Sequence, residues 1–184
     1  MKKLIVSSYI SLDGVIENPW EWVGSYFDEQ NMAYSLEKLE EADTFFLGRK
    51  TYEKLSAAWS GIQGNPYFDK LNELPKIVAS KTLTEAVWNA RIITGEVTAE
   101  IARLKQQPGK AILKYGAGPL DRLLAQHGLV DEFQIGLVPK IIGNGRHVFS
   151  DFDPAELKLS LSATKIMANG VIYLTYVPEI NPTT

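Results

Sequence analysis

TFFLGRKTYEKL (Thr44 to Leu55) and AILKYGAGPLDRLLAQ (Ala111 to Gln126) are the two stretches that decide the fold. Each begins as a short apolar run, reaches a glycine turn and continues with apolar residues at helical spacing. A helix N-terminus exposes unpaired N–H groups and the positive end of its dipole, and glycine lets a phosphate approach them. The two turns together predict a nucleotide cofactor whose diphosphate binds to both of them. The alternative is that each glycine only reverses the chain between a strand and a helix.

The rest of the chain alternates strand and helix patterns without a linker. Further strands are predicted at LIVSSYI, KIVAS and RIITG, and further helices at NMAYSLEKLEEA and VTAEIARLKQQ, with SLDGVIENPWEWVGSYF as a long loop. After Gly128 only strand patterns follow, in DEFQIGLVPKIIG, LKLSLSATKIM and GVIYLTYVP, and Asn169-Gly170 is a hairpin signal between the last two. We therefore predict one α/β domain over residues 1–184, with three α/β/α layers and a mostly parallel central sheet ending in an antiparallel C-terminal hairpin.

Composition excludes several classes of function. The net charge of −3, with scattered basic residues, disfavours binding to nucleic acid or to an anionic membrane surface. The chain has no cysteine and only two histidines without ligand-like neighbours, so neither a disulfide framework nor a metal site is predicted. Its N-terminus, MKKLIVSSYISLDG, is too polar for a signal peptide or a membrane span. We expect a cytoplasmic protein that acts on a small molecule.

The linear order of the motifs resembles a known family. SLDGVI, FFLGRKTYE, VASKTL, KYGAGPLDRLLAQHGLVDEF and PKIIGNGRHVF follow one another as in the dihydrofolate reductase fold. More narrowly, they resemble the reductase domain at the C-terminus of the bifunctional riboflavin-biosynthesis deaminase-reductase. The resemblance implies a reductase similar to 5-amino-6-(5-phosphoribosylamino)uracil reductase, NADPH as cofactor, and a homodimer. We expect no deaminase half within these residues, because its zinc site needs cysteines and the sequence contains none.

The same resemblance assigns the cofactor-binding residues. The first turn supplies Gly48, Arg49, Lys50 and Thr51, and the second supplies Gly116, Ala117, Gly118, Pro119 and Leu120. Ser80, Lys81 and Thr82 match the loop that holds the adenosine 2′-phosphate in relatives, and Ile16 completes the predicted set. Lys50 and Lys81 are alternatively ordinary exposed lysines.

The chemical step is harder to assign to residues. Asp13, in the substrate-proximal SLDG motif, is the predicted catalytic residue, although an aspartate before a glycine is also a common turn residue. Met32 occupies about the position at which true dihydrofolate reductases carry an acid, which argues against folate as substrate. The family often has a basic residue where this chain has Val15, and this departure weakens the prediction of a phosphoribosyl substrate.

Aromatic side chains are the predicted substrate contacts. Tyr9, Trp20, Phe27 and Tyr52 could stack on a planar heterocycle, whereas the alternative is a plug over the core and, for Tyr52, ordinary core packing. The predicted function is an NADPH-dependent reductase of a small heterocyclic or carbonyl compound related to pterin or riboflavin precursors. Two alternatives remain open: an NADP-binding sensor or carrier that has lost reductase turnover, and a structural α/β protein whose turns bind nothing.

Overall fold

A computed structural model of the protein describes residues 1–153 and 157–179, so residues 154–156 and 180–184 of the predicted domain lie outside it. The described strands form one eight-stranded sheet in the order β4-β3-β2-β5-β1-β6-β8-β7. The strands are β1 Leu4–Ser11, β2 Ala42–Gly48, β3 Lys76–Ala79, β4 Ala90–Ile93, β5 Ala111–Tyr115, β6 Glu132–Val138, β7 Leu159–Ile166 and β8 Ile172–Pro178. The first six pair in parallel, while β8 runs antiparallel to β6 and to β7. This arrangement confirms the predicted mixed sheet.

Helices cover both faces of the sheet, which confirms the three layers. They are α1 Pro19–Trp22, α2 Glu29–Glu40, α3 Arg49–Trp59, α4 Pro66–Glu73, α5 Val97–Lys105 and α6 Pro119–Gln126. One core cluster joins the sheet to α2, α3 and α4 through Leu39, Leu55 and Leu71. A second cluster joins the opposite face to α5 and α6 through Ile101 and Leu124. The central strands are therefore covered on both sides, as their continuous apolar runs require.

Three local predictions differ from the structure. The first long loop contains the short helix α1 and a 3-10 turn at Gly24–Tyr26. Helix α4 was not predicted, although Asn65 caps its first N–H groups and Pro66 occupies its first position. Strand β6 ends at Val138, before Pro139, because proline has no N–H to continue a strand ladder. None of the helices in the described ranges is long and apolar enough to cross a membrane.

Candidate functional site

A cleft of about 1040 Å³ opens at the carboxyl ends of β1 to β5. In parallel α/β sheets this edge is where ligands bind, because the loops and helix N-termini that follow the strands converge there. Both predicted glycine turns line the cleft, and its wall continues into a group of aromatic side chains. The cleft therefore has two chemically different ends.

The first turn leaves backbone donors available to a ligand. Gly48 is the N-cap of α3 in extended conformation, with φ −75° and ψ 156°, and it has no side chain to bond the first N–H groups of the helix. Arg49, Lys50 and Thr51 follow on the wall of the cleft. The guanidinium of Arg49 is engaged within its own helix, since Nη1 donates to Glu53 Oε1 at 3.0 Å.

The second turn rests on a buried ion pair. Lys114 Nζ donates to Asp121 Oδ2 at 2.9 Å and to the Gly116 carbonyl at 2.7 Å, and both side chains are almost fully buried. The same carboxylate oxygen accepts from the Gly118 N–H at 2.8 Å. Burial raises the pKa of Asp121, and the attraction of Lys114 opposes that rise. The turn is thus held from below by one cation and one carboxylate.

The two turns also touch each other. Gly116 has φ +81°, and a β-carbon added there would lie 3.1 Å from Thr51 Oγ1 of the first turn. Glycine is required at this position by its backbone conformation as well as by this close approach. The predicted cofactor residues of both turns, from Gly48 to Thr51 and from Gly116 to Leu120, are therefore brought together.

Arg146 is a cleft residue that sequence reasoning missed. Its Nη2 donates to the Ala117 carbonyl at 2.9 Å, so its guanidinium lies against the second turn. The loop that carries it pairs with the loop after β1, where the Ile16 N–H donates to the Arg146 carbonyl at 2.9 Å. The glycines of GNGRHVF favour a tight turn, and no local signal shows that its arginine reaches a turn 29 residues earlier in the chain.

A third strand-glycine-helix junction lines the same cleft. It comprises Thr94, Gly95, Glu96 and Val97, between β4 and α5. Its sequence pattern is the one that identified the other two turns, so the same signal applied to RIITGEVTAE would have found it. The cleft is consequently bordered by the N-termini of three helices.

The end of β3 carries part of the predicted phosphate site. Ser80 and Lys81 line the cleft, whereas Thr82 is exposed outside it. Ser80 Oγ accepts from the Thr82 and Leu83 N–H groups, at 3.2 and 2.9 Å, and so caps a turn. Ser80 Oγ is the acceptor in both of these bonds. The Ser80 hydroxyl proton and the Lys81 ammonium are therefore the donors at the β3 end of the cleft.

The other end of the cleft is aromatic. Of the predicted substrate contacts, Tyr9, Trp20 and Phe27 line this end, together with rings from α2, α3, α4 and β8, namely Tyr34, Trp59, Tyr67 and Tyr173. Tyr52 instead belongs to the core, where it is 3% exposed. Its hydroxyl bonds both backbone groups of Val87, at 3.0 and 2.7 Å, which accounts for its position away from the cleft.

Asp13 lies outside the cleft wall, and its carboxylate connects two loops through hydrogen bonds. Its carboxylate accepts from Ser11 Oγ at 2.6 Å and from the N–H groups of Ile142 and Gly143, at 3.1 and 2.7 Å. These bonds, that of Ser11 foremost, lower the pKa of Asp13 to about 2. The group is therefore ionised at neutral pH and holds no proton to donate. Met32 lies on α2, where it is partly buried and packs against the core.

The sequence profile of the RibD C-terminal domain family matches residues 2–173. The chain belongs to this family. The uncharacterized protein YyaP of Bacillus subtilis (strain 168) is 30% identical over 183 residues, which cover 95% of this chain and 94% of YyaP.

Solved structures show the same fold at lower identity. A Thermotoga maritima diaminohydroxyphosphoribosylaminopyrimidine deaminase/5-amino-6-(5-phosphoribosylamino)uracil reductase is similar with a TM-score of 0.64 and 14% identity, over 96% of this chain and 56% of that protein. Dihydrofolate reductase of Enterococcus faecalis, in complex with NADP(H), is similar with a TM-score of 0.63 and 16% identity, over 97% of both chains. The resemblance predicted from the motifs is confirmed at the level of family and fold.

Proposed function

We propose that the protein is an NADPH-dependent reductase of a small planar heterocycle or carbonyl compound. The observation that carries the proposal is the single cleft that joins three helix N-termini and several cations at one end to an aromatic pocket at the other. A dinucleotide also combines charged and planar parts, because its charged diphosphate lies between two planar rings. Membership of the RibD C-terminal domain family supports a reductase of this type.

The residues of the charged end fit such a cofactor. The free N–H groups of α3 at Arg49 to Thr51 would hold one phosphate, and Arg146 beside the second turn would neutralise another. Lys81, exposed at the end of β3, is the proposed partner of the 2′-phosphate. When bound, the reduced nicotinamide supplies a hydride. The protein's own contribution is to position the acceptor and to exclude water with aromatic walls.

The substrate is not expected to be dihydrofolate. Met32, where an acid would be expected, is a partly buried apolar side chain packed against the core, and the carboxylate of Asp13 is occupied by three hydrogen bonds outside the cleft. Turnover of dihydrofolate should therefore be absent or far below the usual enzymatic range of roughly 1–1,000 per second. Tyr9, Trp20 and Phe27 would contact the substrate, whereas Asp13 and Tyr52, which lie outside the cleft wall, would not.

The test is a titration of NADPH, followed by its fluorescence, against wild type and two valine variants. Gly118→Val puts a branched side chain at the second turn, where the backbone is extended and a β-carbon would be 3.6 Å from the Arg146 guanidinium. This variant should fold and lose NADPH affinity at least tenfold. Gly61→Val is the control, because Gly61 has open space around it and lies outside the cleft wall. Wild-type affinity in a folded Gly118→Val protein would contradict the proposal.

A second candidate function is an NADP-binding sensor or carrier without turnover. It is favoured by the position of Asp13, whose carboxylate lies outside the cleft wall and is held by hydrogen bonds from Ser11, Ile142 and Gly143, so the predicted catalytic residue does not face the cleft. Tight NADPH binding without oxidation of the cofactor by any planar heterocycle or carbonyl compound would support this candidate over the reductase.

A further inference from the structure

The loop after β1, residues 12–18, and the loop after β6, residues 139–148, lie side by side next to the cleft. Backbone hydrogen bonds of 2.8–2.9 Å join them, from the N–H of Leu12 to the Lys140 carbonyl, from that of Ile16 to the Arg146 carbonyl and from that of Val148 to the Gly14 carbonyl. The contact is close at Gly145, where a β-carbon would lie 2.8 Å from Val15 Cγ1. The position of the second loop therefore depends on the first.

Asp13 holds the middle of this loop pair through both of its carboxylate oxygens. Oδ1 accepts from Ser11 Oγ at 2.6 Å and from the Ile142 N–H at 3.1 Å, while Oδ2 accepts from the Gly143 N–H at 2.7 Å. An ionised carboxylate only accepts hydrogen bonds, so it satisfies each of these donors. An asparagine amide would turn its NH₂ group toward one of them in either orientation, donor against donor. The loop pair is therefore built around a carboxylate.

The loop after β6 carries Arg146 to the cleft. The Arg146 N–H donates to Glu17 Oε2 at 3.2 Å, so its backbone is fixed against the loop after β1. Its Nη2 donates to the Ala117 carbonyl at 2.9 Å, which places the guanidinium beside the second turn. Asp151 Oδ2 lies 3.6 Å from Nη1, beyond the distance of a direct hydrogen bond, and the arginine side chain is 38% exposed. The guanidinium is thus accessible to an anion in the cleft.

The second turn depends on this guanidinium for its positive charge. The N–H groups of Gly116 and Gly118 are already bonded within the protein, and Pro119 has no N–H. The ammonium of Lys114 lies buried beneath the turn in an ion pair. Arg146 therefore supplies to a phosphate the charge that the turn itself does not offer.

We propose that Asp13 is a positioning residue: by holding the loop after β6 at Ile142 and Gly143, it places the Arg146 guanidinium where a phosphate of the dinucleotide meets the second turn. This inference rests on the proposed function, in which Arg146 neutralises one of the cofactor phosphates. Asp13 lies outside the cleft wall, so its own carboxylate would contact neither cofactor nor substrate. Its substitution should weaken binding through Arg146, and therefore only for ligands that carry the diphosphate.

The experiment is a double-mutant cycle on NADPH binding, measured by calorimetric titration. Arg146→Met should weaken binding about tenfold or more, because a charge-assisted contact to a phosphate is lost. Asp13→Asn should weaken it about fivefold, because the loop no longer holds the guanidinium in place. The double variant should bind NADPH no more weakly than Arg146→Met alone, since without the guanidinium the loop has no charge to position.

The matched control is Asp69→Asn. Asp69 also accepts a hydrogen bond from a loop N–H, that of Gly64 at 3.0 Å, but it lies outside the cleft wall. This variant should keep the wild-type affinity for NADPH. Ser11→Ala, which removes one bond to the Asp13 carboxylate, is a milder second variant for the case in which Asp13→Asn does not fold, and it should show the same dependence on Arg146.

Adenosine 2′-monophosphate distinguishes positioning from a general loss of structure. It carries the 2′-phosphate without the diphosphate, so Asp13→Asn should bind it as wild type does. Independent losses that multiply in the double variant, or a weaker affinity of Asp13→Asn for adenosine 2′-monophosphate, would overturn the inference. Wild-type NADPH affinity in Arg146→Met would overturn it as well. These results leave the proposed function intact, whereas a wild-type protein that does not bind NADPH would defeat the proposed function and the inference with it.

Discussion

The two glycine turns look alike in sequence but use their backbones in opposite ways. At the first turn, Gly48 caps α3 without a side chain, so the first N–H groups of the helix stay available. At the second, the Gly116 N–H donates to the Ser7 carbonyl, the Gly118 N–H donates to Asp121, and Pro119 has no N–H. The first turn therefore offers the unbonded N–H groups of a helix to a ligand, whereas the second has its Gly116 and Gly118 N–H groups already bonded and adds the neighbouring Arg146. Equal sequence patterns need not mean equal binding roles.

The largest expected effect comes from the ion pair beneath the second turn. Lys114→Met would leave the Asp121 carboxylate buried without its cation, which costs about 3–5 kcal/mol of unfolding free energy. Urea denaturation followed by circular dichroism measures the loss. The double variant Lys114→Met/Asp121→Asn should regain most of it, because the amide oxygen still accepts from Gly118 and no charge is buried. A single variant within about 1 kcal/mol of wild type would show that the pair does not support the turn.

The next largest effect concerns cofactor choice at the charged end. Lys81→Ala should weaken NADPH binding about ten- to a hundredfold, because a hydrogen bond to a charged group contributes about 1.5–3 kcal/mol. NADH affinity should stay unchanged, since NADH carries no 2′-phosphate. Lys70→Ala, on α4 and outside the cleft wall, is the control for a lost surface lysine. Parallel losses for the two cofactors in Lys81→Ala would remove Lys81 from the phosphate site.

A third prediction contrasts the glycines themselves. Gly116→Ala forces an L-residue to φ +81° and puts a methyl group 3.1 Å from Thr51 Oγ1, so it should cost about 1–3 kcal/mol of stability. Gly48→Ala should stay within about 0.5 kcal/mol of wild type, because the backbone there suits any residue and a weaker helix cap is offset by a less flexible unfolded chain. Similar stabilities of the two variants in urea would show that the turns do not differ as described.

Much of this architecture could be predicted from the sequence, because it follows from local patterns. The apolar runs of β2 and β5, each followed by glycine and a helical pattern, predicted both turns and the carboxyl edge on which they lie. Asn169-Gly170 predicted the C-terminal hairpin, and Gly170 adopts the positive φ of 86° that such a turn needs. These features depend on residues close together in the chain.

The features that could not be predicted depend on contacts over long distances. Arg146 reaches the second turn only because its loop pairs with the loop after β1, and the Tyr9 hydroxyl bonds the Tyr173 hydroxyl, which lies 164 residues later in the chain. A lysine in AILKYG gives no sign of being buried until α6 brings Asp121 onto it. Sequence patterns locate the backbone of the site, whereas tertiary contacts decide which side chains enter it.

The smallest predicted effect separates the cation of the first turn, Arg49, from that of the loop after β3, Lys81. Arg49 is held by Glu53 one helical turn away, at 3.0 Å, in an exposed pair that contributes about 0.3–0.5 kcal/mol. Glu53→Gln removes the negative charge and frees the guanidinium to turn toward the cleft, so stability should fall by only that amount while cofactor affinity rises about twofold. The gain should be equal for NADPH and NADH, because Arg49 lies at the turn that meets the shared diphosphate, unlike Lys81. Fluorescence titration of both cofactors measures it. A gain for NADPH alone would instead assign Arg49 to the 2′-phosphate. The separate roles of the first turn, which would meet the diphosphate, and of the β3 loop, which would meet the 2′-phosphate, would then be wrong.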